Sequence, residues 1–260
     1  MTDAFLPPVV ITRPLTQAQP LAERLRAAGR DTLVFPLLEI LPLEDESKLK
    51  SSLTTLDTFT LVAFVSPNAI DMTFRHLTAW PEGVSIAVMG EGSRVALEAH
   101  GITSATTRVI SPANRLRTDS QTLLETLDID ALRGKRVLII RGETGRELLA
   151  DALRAKGVQV EQLAAYRRVA PALDHARRRQ LSELVHGDAE WIITSSEALR
   201  ILLDLVRDLE GARGVAKMQQ HRLVVPHVRI AETARSLGFH RIAETGSGDD
   251  QLIAALQFRA

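Results

Sequence analysis

Apolar residues follow two spacings along the chain. Short runs rich in Val, Ile and Leu are separated by longer stretches in which apolar residues recur every three or four positions, as at Leu149, Ala152 and Leu153. Short runs are typical of buried parallel strands, and the longer spacing is typical of helices that cover a sheet. The pattern predicts an α/β fold of β-α-β units. The predicted strands are residues 9–12, 33–35, 61–65, 85–89, 107–110, 136–140, 158–163, 191–194, 222–225 and 241–244.

Two parts of the chain carry similar series of these units. The segment VVITRP is repeated as VLIIRG, with Arg13 lying 128 positions before Arg141. The segment FVSPNAI corresponds to ITSSEAL, with Ser66 lying 129 positions before Ser195, and IAVMGEGSRVALEAHG corresponds to LVVPHVRIAETARSLG. A repeat of this length predicts two similar domains.

The repeat alone leaves the wiring of the two domains open. The first β-α unit can form a domain with residues 46–130, or it can be completed by residues 175–260. Two stretches with proline and charged residues, 37–45 and 167–174, are predicted linkers. Polar strand ends from both halves are expected to converge on one ligand site in the cleft between the domains.

The overall charge points to local recognition rather than to a general attraction. The 260 residues include 32 basic and 32 acidic side chains, so no net field attracts nucleic acid or an anionic membrane. The absence of cysteine excludes disulfides, thiolate metal sites and cysteine nucleophiles. The first residues lack the features of a signal peptide, and no apolar run approaches the roughly 20 residues that span a bilayer. We therefore expect a cytoplasmic protein.

Small and polar residues follow most of the predicted strands. Helices that begin there present unpaired N–H groups with partial positive charge, which can bind anions. Capping of these helices is the commoner role for any one such residue, and it is compatible with ligand contact. The candidate ligand-binding residues are Arg13, Ser66, Asn68, Gly90, Gly92, Ser93, Arg141, Gly142, Gly145, Arg146, Thr194, Ser195, Ser196 and His227.

The segment RGETGRE, residues 141–147, is the most distinctive of these junctions. Gly142 and Gly145 allow the backbone to approach a ligand, and Arg141 and Arg146 offer forked donors suited to carboxylates. A cation at the start of a helix is unfavourable unless an anion lies nearby, which favours ligand binding by Arg146 over a solvated surface role. The phosphate-loop ending and the G-x-G-x-x-G pattern are both missing, so no nucleotide cofactor is predicted.

Histidine and tyrosine give weaker indications. The seven histidines show no metal-binding spacing, so no metal is predicted. His227 alone is predicted at a strand end beside the ligand site, where ligand contact and plain surface exposure are both open. Tyr166 is the only tyrosine and lies near a predicted linker. A lone tyrosine in such a place is more often a packing residue than a catalytic one.

Taken in order, these motifs resemble the uroporphyrinogen-III synthase family. The resemblance runs nearly from end to end, and its most specific part is residues 141–168, where the Arg-Gly-x-x-Gly-Arg turn, Gly157 and Tyr166 have the spacing of the family. Ser93 stands where the family usually has threonine, which leaves that residue's contribution open. The resembling segments are TRP, FVSPNAI, VMGEGSRVALEAHG, RGETGRELLADALRAKGVQVEQLAAYRR, ITSSEAL and VVPHVRIAETARSLG.

The resemblance implies two similar flavodoxin-like domains, each with a parallel sheet in three layers. The first domain would comprise residues 1–37 plus 174–260, and the second would comprise residues 45–166. Two extended linkers, residues 38–44 and 167–173, would join them. This arrangement resolves the wiring that the repeat leaves open.

The resemblance also implies an activity. Members of the family cyclise the linear tetrapyrrole hydroxymethylbilane to uroporphyrinogen III without a cofactor, inverting the last pyrrole ring and releasing water. Tyr166 matches the tyrosine to which the family assigns proton donation, and the eight substrate carboxylates suit the strand-end groups. The expected partners are this small molecule and, transiently, the preceding enzyme of the pathway, with no nucleic acid or membrane and with the chain acting as a monomer.

Two other classes of protein share parts of the pattern. A non-catalytic two-lobed binding or sensor protein also closes a cleft between α/β lobes, although no signal peptide supports an exported receptor and no DNA-binding helix pair supports a regulator. A nucleotide-dependent α/β enzyme would need the phosphate loop that is missing here. The product isomer formed from hydroxymethylbilane separates the synthase from the sensor.

Overall fold

Helices and strands alternate along the chain as the sequence predicts. The computed structural model describes residues 6–112 and 120–257, and every element named below lies in these ranges. The strands are β1 (Val9–Ile11), β2 (Thr32–Val34), β3 (Glu39–Leu41), β4 (Leu61–Phe64), β5 (Ser85–Val88), β6 (Val109–Ile110), β7 (Arg136–Gly142), β8 (Gln159–Val169), β9 (Glu190–Ile192), β10 (Arg222–Val225) and β11 (Ile242–Glu244). The helices are α1 (Leu15–Ala27), α2 (Ser47–Leu53), α3 (Pro67–Phe74), α4 (Glu91–Ala99), α5 (Ser120–Thr126), α6 (Ile129–Leu132), α7 (Leu148–Ala155), α8 (His175–His186), α9 (Ser196–Met218), α10 (Val228–Ser236) and α11 (Asp249–Gln257).

Most predicted strands lie within two residues of the observed bounds, and two strands differ more. Strand β3 was not predicted, and β8 extends to Val169 instead of ending at residue 163. Parts of the predicted linkers 38–44 and 167–173 therefore belong to strands. Strand β3 lies at the edge of its sheet, next to β8. Edge strands carry polar residues and prolines nearby, which makes them resemble loops in sequence.

The chain divides into two compact units. The first comprises the residues up to Glu39 together with those from Val169 onward, and the second comprises Ile40–Arg168. The first unit is therefore discontinuous, and the chain passes from one unit to the other at β3 and at the end of β8. The cleft expected between the domains stays a prediction.

The two sheets have the same internal order of strands. The first unit has the order β2-β1-β9-β10-β11, in which all neighbours are parallel. The second unit contains β8-β7-β4-β5-β6, also parallel, with β3 added beside β8. Strands β7 and β8 thus take the places of β1 and β2, as the repeat predicts. This is the flavodoxin-like order, in which ligands bind at the carboxyl ends of the strands.

Each sheet is buried on both faces. In β1, Val10 packs into one apolar cluster whereas Val9 and Ile11 pack into another. In β4, Val62 and Phe64 face one cluster whereas Leu61 and Ala63 face the other. This alternation follows from the period of two in a strand, and it explains why the strands read as continuous apolar runs. The structure confirms the three-layer α/β architecture.

The longest helix is interrupted near its end. Within α9, Gly211 has φ 66° and ψ −160°, so the two parts of this helix meet at a kink. Glycine accepts such a positive φ without the steric penalty that other residues would incur. In the described ranges, no helix is both long enough and apolar enough to cross a membrane.

A buried ion cluster ties the two ends of the first unit to its sheet. The carboxylate of Glu190 accepts hydrogen bonds from Arg30 and from Arg222, each at 2.6 Å. Arg30 also donates to the carbonyl oxygens of Pro7, at 3.0 Å, and of Leu256. Burial alone would raise the pKa of Glu190, but the hydrogen bonds from the two guanidinium groups outweigh it and hold that pKa below its usual value.

Replacing Glu190 with Gln is expected to lower the free energy of unfolding by about 3 to 5 kcal/mol, because two partly or fully buried guanidinium groups lose their counter-charge. Urea unfolding at pH 7 measures this loss. Glu161→Gln is the matched control, because Glu161 is half exposed in its ion pair with Arg136. This substitution should lower the free energy of unfolding by less than about 1 kcal/mol.

The same cluster predicts a dependence on pH. The pKa of Glu190 is lower in the folded chain than its usual 4.5. The contribution of the Glu190 carboxylate to the free energy of unfolding is therefore complete above pH 4.5, and it is lost as the pH falls through the folded-state pKa. The difference in unfolding free energy between wild type and Glu190→Gln should shrink in this acid range. A difference that stays constant down to full protonation would contradict the assignment.

Candidate active site

A buried tyrosine crosses between three strands of the second unit. Tyr166 lies on β8 opposite Gly142 of β7, at an irregularity in the register of the two strands. Its side chain is almost fully buried, at 4% exposure. Its hydroxyl lies 3.0 Å from Oγ of Ser66, which follows β4. Because β8, β7 and β4 are neighbours in the sheet, the phenol reaches from one strand end over the next to the third.

Gly142 makes this crossing possible. A Cβ atom at residue 142 would lie 3.0, 3.1 and 3.2 Å from Cζ, Cε2 and the hydroxyl oxygen of Tyr166. Such distances are shorter than most Cβ contacts in proteins, so a residue with a side chain would push the ring away by a few tenths of an ångström. The amide of Glu143 donates to the carbonyl oxygen of Tyr166 at 2.8 Å, which fixes the backbone beside this contact. The glycine is therefore needed for close approach and not for an unusual backbone angle.

Two helix starts lie beside the tyrosine hydroxyl. Oγ of Ser66 accepts a hydrogen bond from the amide of Ala69 at 3.1 Å, so Ser66 caps α3 while it contacts Tyr166. Gly90 is the N-cap of α4, and a Cβ on Gly92 would lie 3.6 Å from Pro67 of α3. The first turns of α3 and α4 are therefore adjacent. Asn68 lies in the first turn of α3, and Ser93 is buried in the first turn of α4.

The two arginines of the RGETGRE segment have different surroundings. Arg141 is 8% exposed and donates to Glu147 at 2.6 Å and to Gln162 at 2.5 Å. The hydrogen bonds from Gln162 and then from Arg141 lower the pKa of Glu147. In contrast, Arg146 is exposed and has no hydrogen-bond or ion-pair partner among the described residues. Only one of the two predicted carboxylate-binding arginines therefore has an uncompensated charge.

The first unit collects its predicted residues at one edge of its own sheet. Arg13 follows β1 and pairs with Asp249 at 2.6 Å. Ser195 follows β9 and caps α9 by accepting from the amides of Glu197 and Ala198. The remaining three residues, Thr194, Ser196 and His227, are half buried. Thr194 directly precedes Ser195, and Oγ of Ser196 lies 3.0 Å from Oγ1 of Thr233. His227 is the N-cap residue of α10, and its Nε2 lies 3.5 Å from Oγ of Ser247.

The structure thus forms one polar strand-end surface on each unit. The second-unit surface contains Ser66, Asn68, Gly90, Gly92, Ser93, Gly142, Gly145, Arg146 and Tyr166, and the first-unit surface contains Arg13, Thr194, Ser195, Ser196 and His227. The described residues bring together no group of three His, Asp or Glu side chains suited to a metal ion.

Three side chains that pair with the predicted arginines were not identified from the sequence. Glu147 and Gln162 hold Arg141, and Asp249 holds Arg13. Glu147 lies inside the RGETGRE segment, so its acidic side chain beside two arginines was an available indication. Gln162 and Asp249 lie 21 and 236 positions from their arginines, and no local spacing connects them.

Gly142→Ala is expected to push the ring of Tyr166 away from Ser66 by a few tenths of an ångström and to destabilise the fold by about 1 to 3 kcal/mol, since the tightly packed ring must move to make room for the methyl group. Because Tyr166 is the only tyrosine, a protein labelled at the tyrosine ring gives one NMR signal that reports on this position. That signal should shift in the variant. Gly92→Ala is the control, because its new Cβ would make only an ordinary 3.6 Å contact. An unchanged tyrosine signal in Gly142→Ala would contradict the crossing geometry.

Known proteins related to this chain match it over nearly its whole length. A profile of the family described as uroporphyrinogen-III synthase HemD matches residues 19–253. Uroporphyrinogen-III synthase of Salmonella typhimurium is 32% identical over 254 residues, which cover 96% of this chain and 99% of that protein. The Escherichia coli K12 protein of the same name is 30% identical over 257 residues, with the same coverage.

Solved structures agree with the fold. Uroporphyrinogen-III synthetase from Helicobacter pylori superimposes with a TM-score of 0.59 at 16% identity, covering 92% of both chains. A mutant uroporphyrinogen III synthase from Thermus thermophilus gives 0.57 at 15% identity, covering 96% of both. At these identities the likeness supports the architecture, and the sequence matches carry the relationship. Since the profile and both bacterial relatives extend over nearly the whole chain, this protein belongs to the uroporphyrinogen-III synthase family.

Proposed function

We propose that this chain is a uroporphyrinogen-III synthase, a cyclising lyase that converts hydroxymethylbilane to uroporphyrinogen III and water. The observation that carries the proposal is the phenol of Tyr166, held at the strand ends of the second unit by Ser66 and by the space above Gly142. A phenol keeps its proton at neutral pH and can donate it to a leaving hydroxyl group. The family relationship supplies the substrate.

The chemistry needs one proton and one folded substrate geometry. Tyr166 donates a proton to the hydroxymethyl group, which leaves as water as the pyrrole electrons form an azafulvene. The substituted carbon of ring D attacks it to give a spiro intermediate, which fragments and closes again with that ring inverted. The proton released when the last pyrrole regains aromaticity restores the phenol. The overall reaction is a dehydration without net oxidation or reduction, so its electron balance requires no redox cofactor.

Ser66 is well placed to assist this proton transfer. Its Oγ already accepts the Ala69 amide proton, so its own hydroxyl proton can be donated to the oxygen of Tyr166. In that arrangement the phenolic proton is left for the substrate. The N–H groups at the start of α3 add partial positive charge that stabilises a transient phenolate.

The polar strand ends suit the carboxylates of the substrate. We propose that Asn68, Ser93 and Arg146 in the second unit bind carboxylates, together with backbone N–H groups at the helix starts that follow Gly90 and Gly142. Contact in the first unit is proposed for Thr194, Ser195, Ser196 and His227, with Arg13 acting within its ion pair. The glycines at positions 92 and 145 give the backbone room for close approach.

Exposed apolar side chains support a ligand that has apolar rings as well as negative charges. Among the described residues, the large apolar side chains with high exposure are Leu6, Leu15, Val95, Leu148 and Val228. All except Leu6 lie in the first two turns of a helix that follows β1, β5, β7 or β10. A tetrapyrrole combines flat apolar rings with carboxylates, so it can contact these side chains and the neighbouring N–H groups together.

The linear substrate closes without an enzyme to the type I isomer, in which the last ring is not inverted. This instability favours a cytoplasmic enzyme that receives the substrate directly from the preceding enzyme of the pathway.

Incubation with freshly generated hydroxymethylbilane tests the proposal, with separation of the type I and type III products. The expected result is mostly type III product, formed faster than spontaneous closure gives type I. Because orientation is the main contribution of the protein, the isomer ratio is the direct readout of its action. Formation of type I alone, at the uncatalysed rate, would contradict the proposed function and leave a binding role.

Tyr166→Phe tests the proton donor. Turnover should fall by about 10²- to 10⁴-fold if the phenol is the main acid, the range usual for general acid catalysis. The isomer ratio should stay mostly type III, because the folded geometry of the substrate is retained. Ser66→Ala should give a smaller loss, and Asp174→Ala, which removes the cap of α8, controls for the lost helix cap. A Tyr166→Phe variant with wild-type rates would exclude Tyr166 as the acid.

A further inference from the structure

One nitrogen of the Arg141 guanidinium group is held by two partners of its own chain. Its Nη1 donates to Oε1 of Glu147 and to Oε1 of Gln162, and Nε2 of Gln162 donates to the other carboxylate oxygen of Glu147. The three side chains form a closed hydrogen-bonded ring, which we call the Arg141 brace. The two hydrogen bonds keep the pKa of Glu147 low, so the charge of Arg141 is matched near neutral pH. Nη1, which donates to both Glu147 and Gln162, is therefore occupied by partners within the chain.

The brace holds one end of the loop that follows β7. Glu147 is the residue directly before α7, so its side chain fixes the point where the helix begins. A Cβ on Gly145 would lie 2.5 Å from Nη2 of Arg141, which shows that the loop backbone packs directly on the guanidinium group. Gly145 is therefore needed for this contact.

The other end of the loop is fixed by β8. The amide of Glu143 donates to the carbonyl oxygen of Tyr166 at 2.8 Å. Arg168 donates to the carbonyl oxygen and the hydroxyl of Thr144 at 2.8 and 3.2 Å. Residues 143, 144, 145 and 147 each have a fixed contact, whereas the side chain of Arg146 is exposed and has no partner in the described part of the chain.

We propose that Arg141 is a positioning residue, and that the brace presents Arg146 to one carboxylate of the linear tetrapyrrole. This inference rests on the proposed function, and it changes the role predicted for Arg141, which was direct contact with a carboxylate. A cation just before a helix is unfavourable by itself and is stabilised by a bound anion. Preorganising the loop in advance reduces the entropy lost when the carboxylate binds.

Steady-state kinetics of Arg141→Lys and Arg146→Ala test the proposal. Lysine keeps the charge, but its ammonium nitrogen falls one bond short of the position of Nη1 and it has no Nη2 to pack on Gly145, so the loop loses its fixed geometry. Both variants should raise KM by roughly tenfold, the loss of about one charge-assisted contact, with kcat changed by less than about twofold. The double variant should be no worse than Arg146→Ala, because Arg141 acts through Arg146. Arg133→Lys, in an exposed ion pair with Asp130, is the matched control.

Two outcomes would overturn the positioning role. If the effects of Arg141→Lys and Arg146→Ala multiply in the double variant, Arg141 acts independently of Arg146. If Arg141→Lys leaves KM unchanged, the brace has no role in binding.

Hydrogen exchange provides a readout that needs no substrate. The amides of Glu143 and Asp151, which donate to the carbonyl oxygens of Tyr166 and Glu147 at the two ends of the loop, should exchange faster in Arg141→Lys and in Gln162→Leu than in wild type or Arg133→Lys, and equal exchange would contradict the brace. A wild-type protein that forms only the type I isomer would refute the proposed function while leaving the exchange result interpretable. The two proposals can therefore fail separately.

Discussion

The candidate active site depends on the close contact between the ring of Tyr166 and the backbone of Gly142. This contact lets the phenol of β8 pass over β7 and reach Ser66 at the end of β4. Parallel strands make it possible, because their carboxyl ends lie side by side at one edge of the sheet. The same serine caps α3, so the position of the phenol is coupled to a helix start and its partial charge.

The internal duplication explains the architecture but divides the chemistry unequally. The positions 128 residues before Gly142 and Tyr166 are Pro14 and Leu38, so the first unit has neither the open backbone nor the hydroxyl at the corresponding places. Leu38 packs into the apolar core of the first unit, as the ring of Tyr166 packs into that of the second, but it carries no polar group. The first unit retains capped helix starts and an arginine balanced by Asp249. Its residues are proposed to bind the anionic substrate, and the proposed acid belongs to the second unit alone.

The sequence predicted features that depend on local spacing and missed those that depend on distant pairing. The strands and helices follow from apolar runs and from spacings of three to four residues, and the repeat follows from similar segments 128 or 129 positions apart; the fold and family are confirmed. The edge strand β3, three residues long and followed directly by Pro42, resembled a linker. The role of Arg141 depends on Gln162, and the cluster of Glu190 depends on Arg30, which is 160 positions away. A catalytic role for Tyr166 was suggested only by the family resemblance, since its contact with Ser66 spans 100 positions.

The central claim is that the one tyrosine of this chain faces the bound tetrapyrrole. The most direct test is an anaerobic NMR titration of protein labelled at the tyrosine ring, with uroporphyrinogen III as the ligand, since the single tyrosine gives an unambiguous signal. The account predicts that the signal shifts progressively and saturates as the product binds, and that the shift is reduced in Ser66→Ala. Saturable product binding, measured independently, with no change in the tyrosine signal would contradict it.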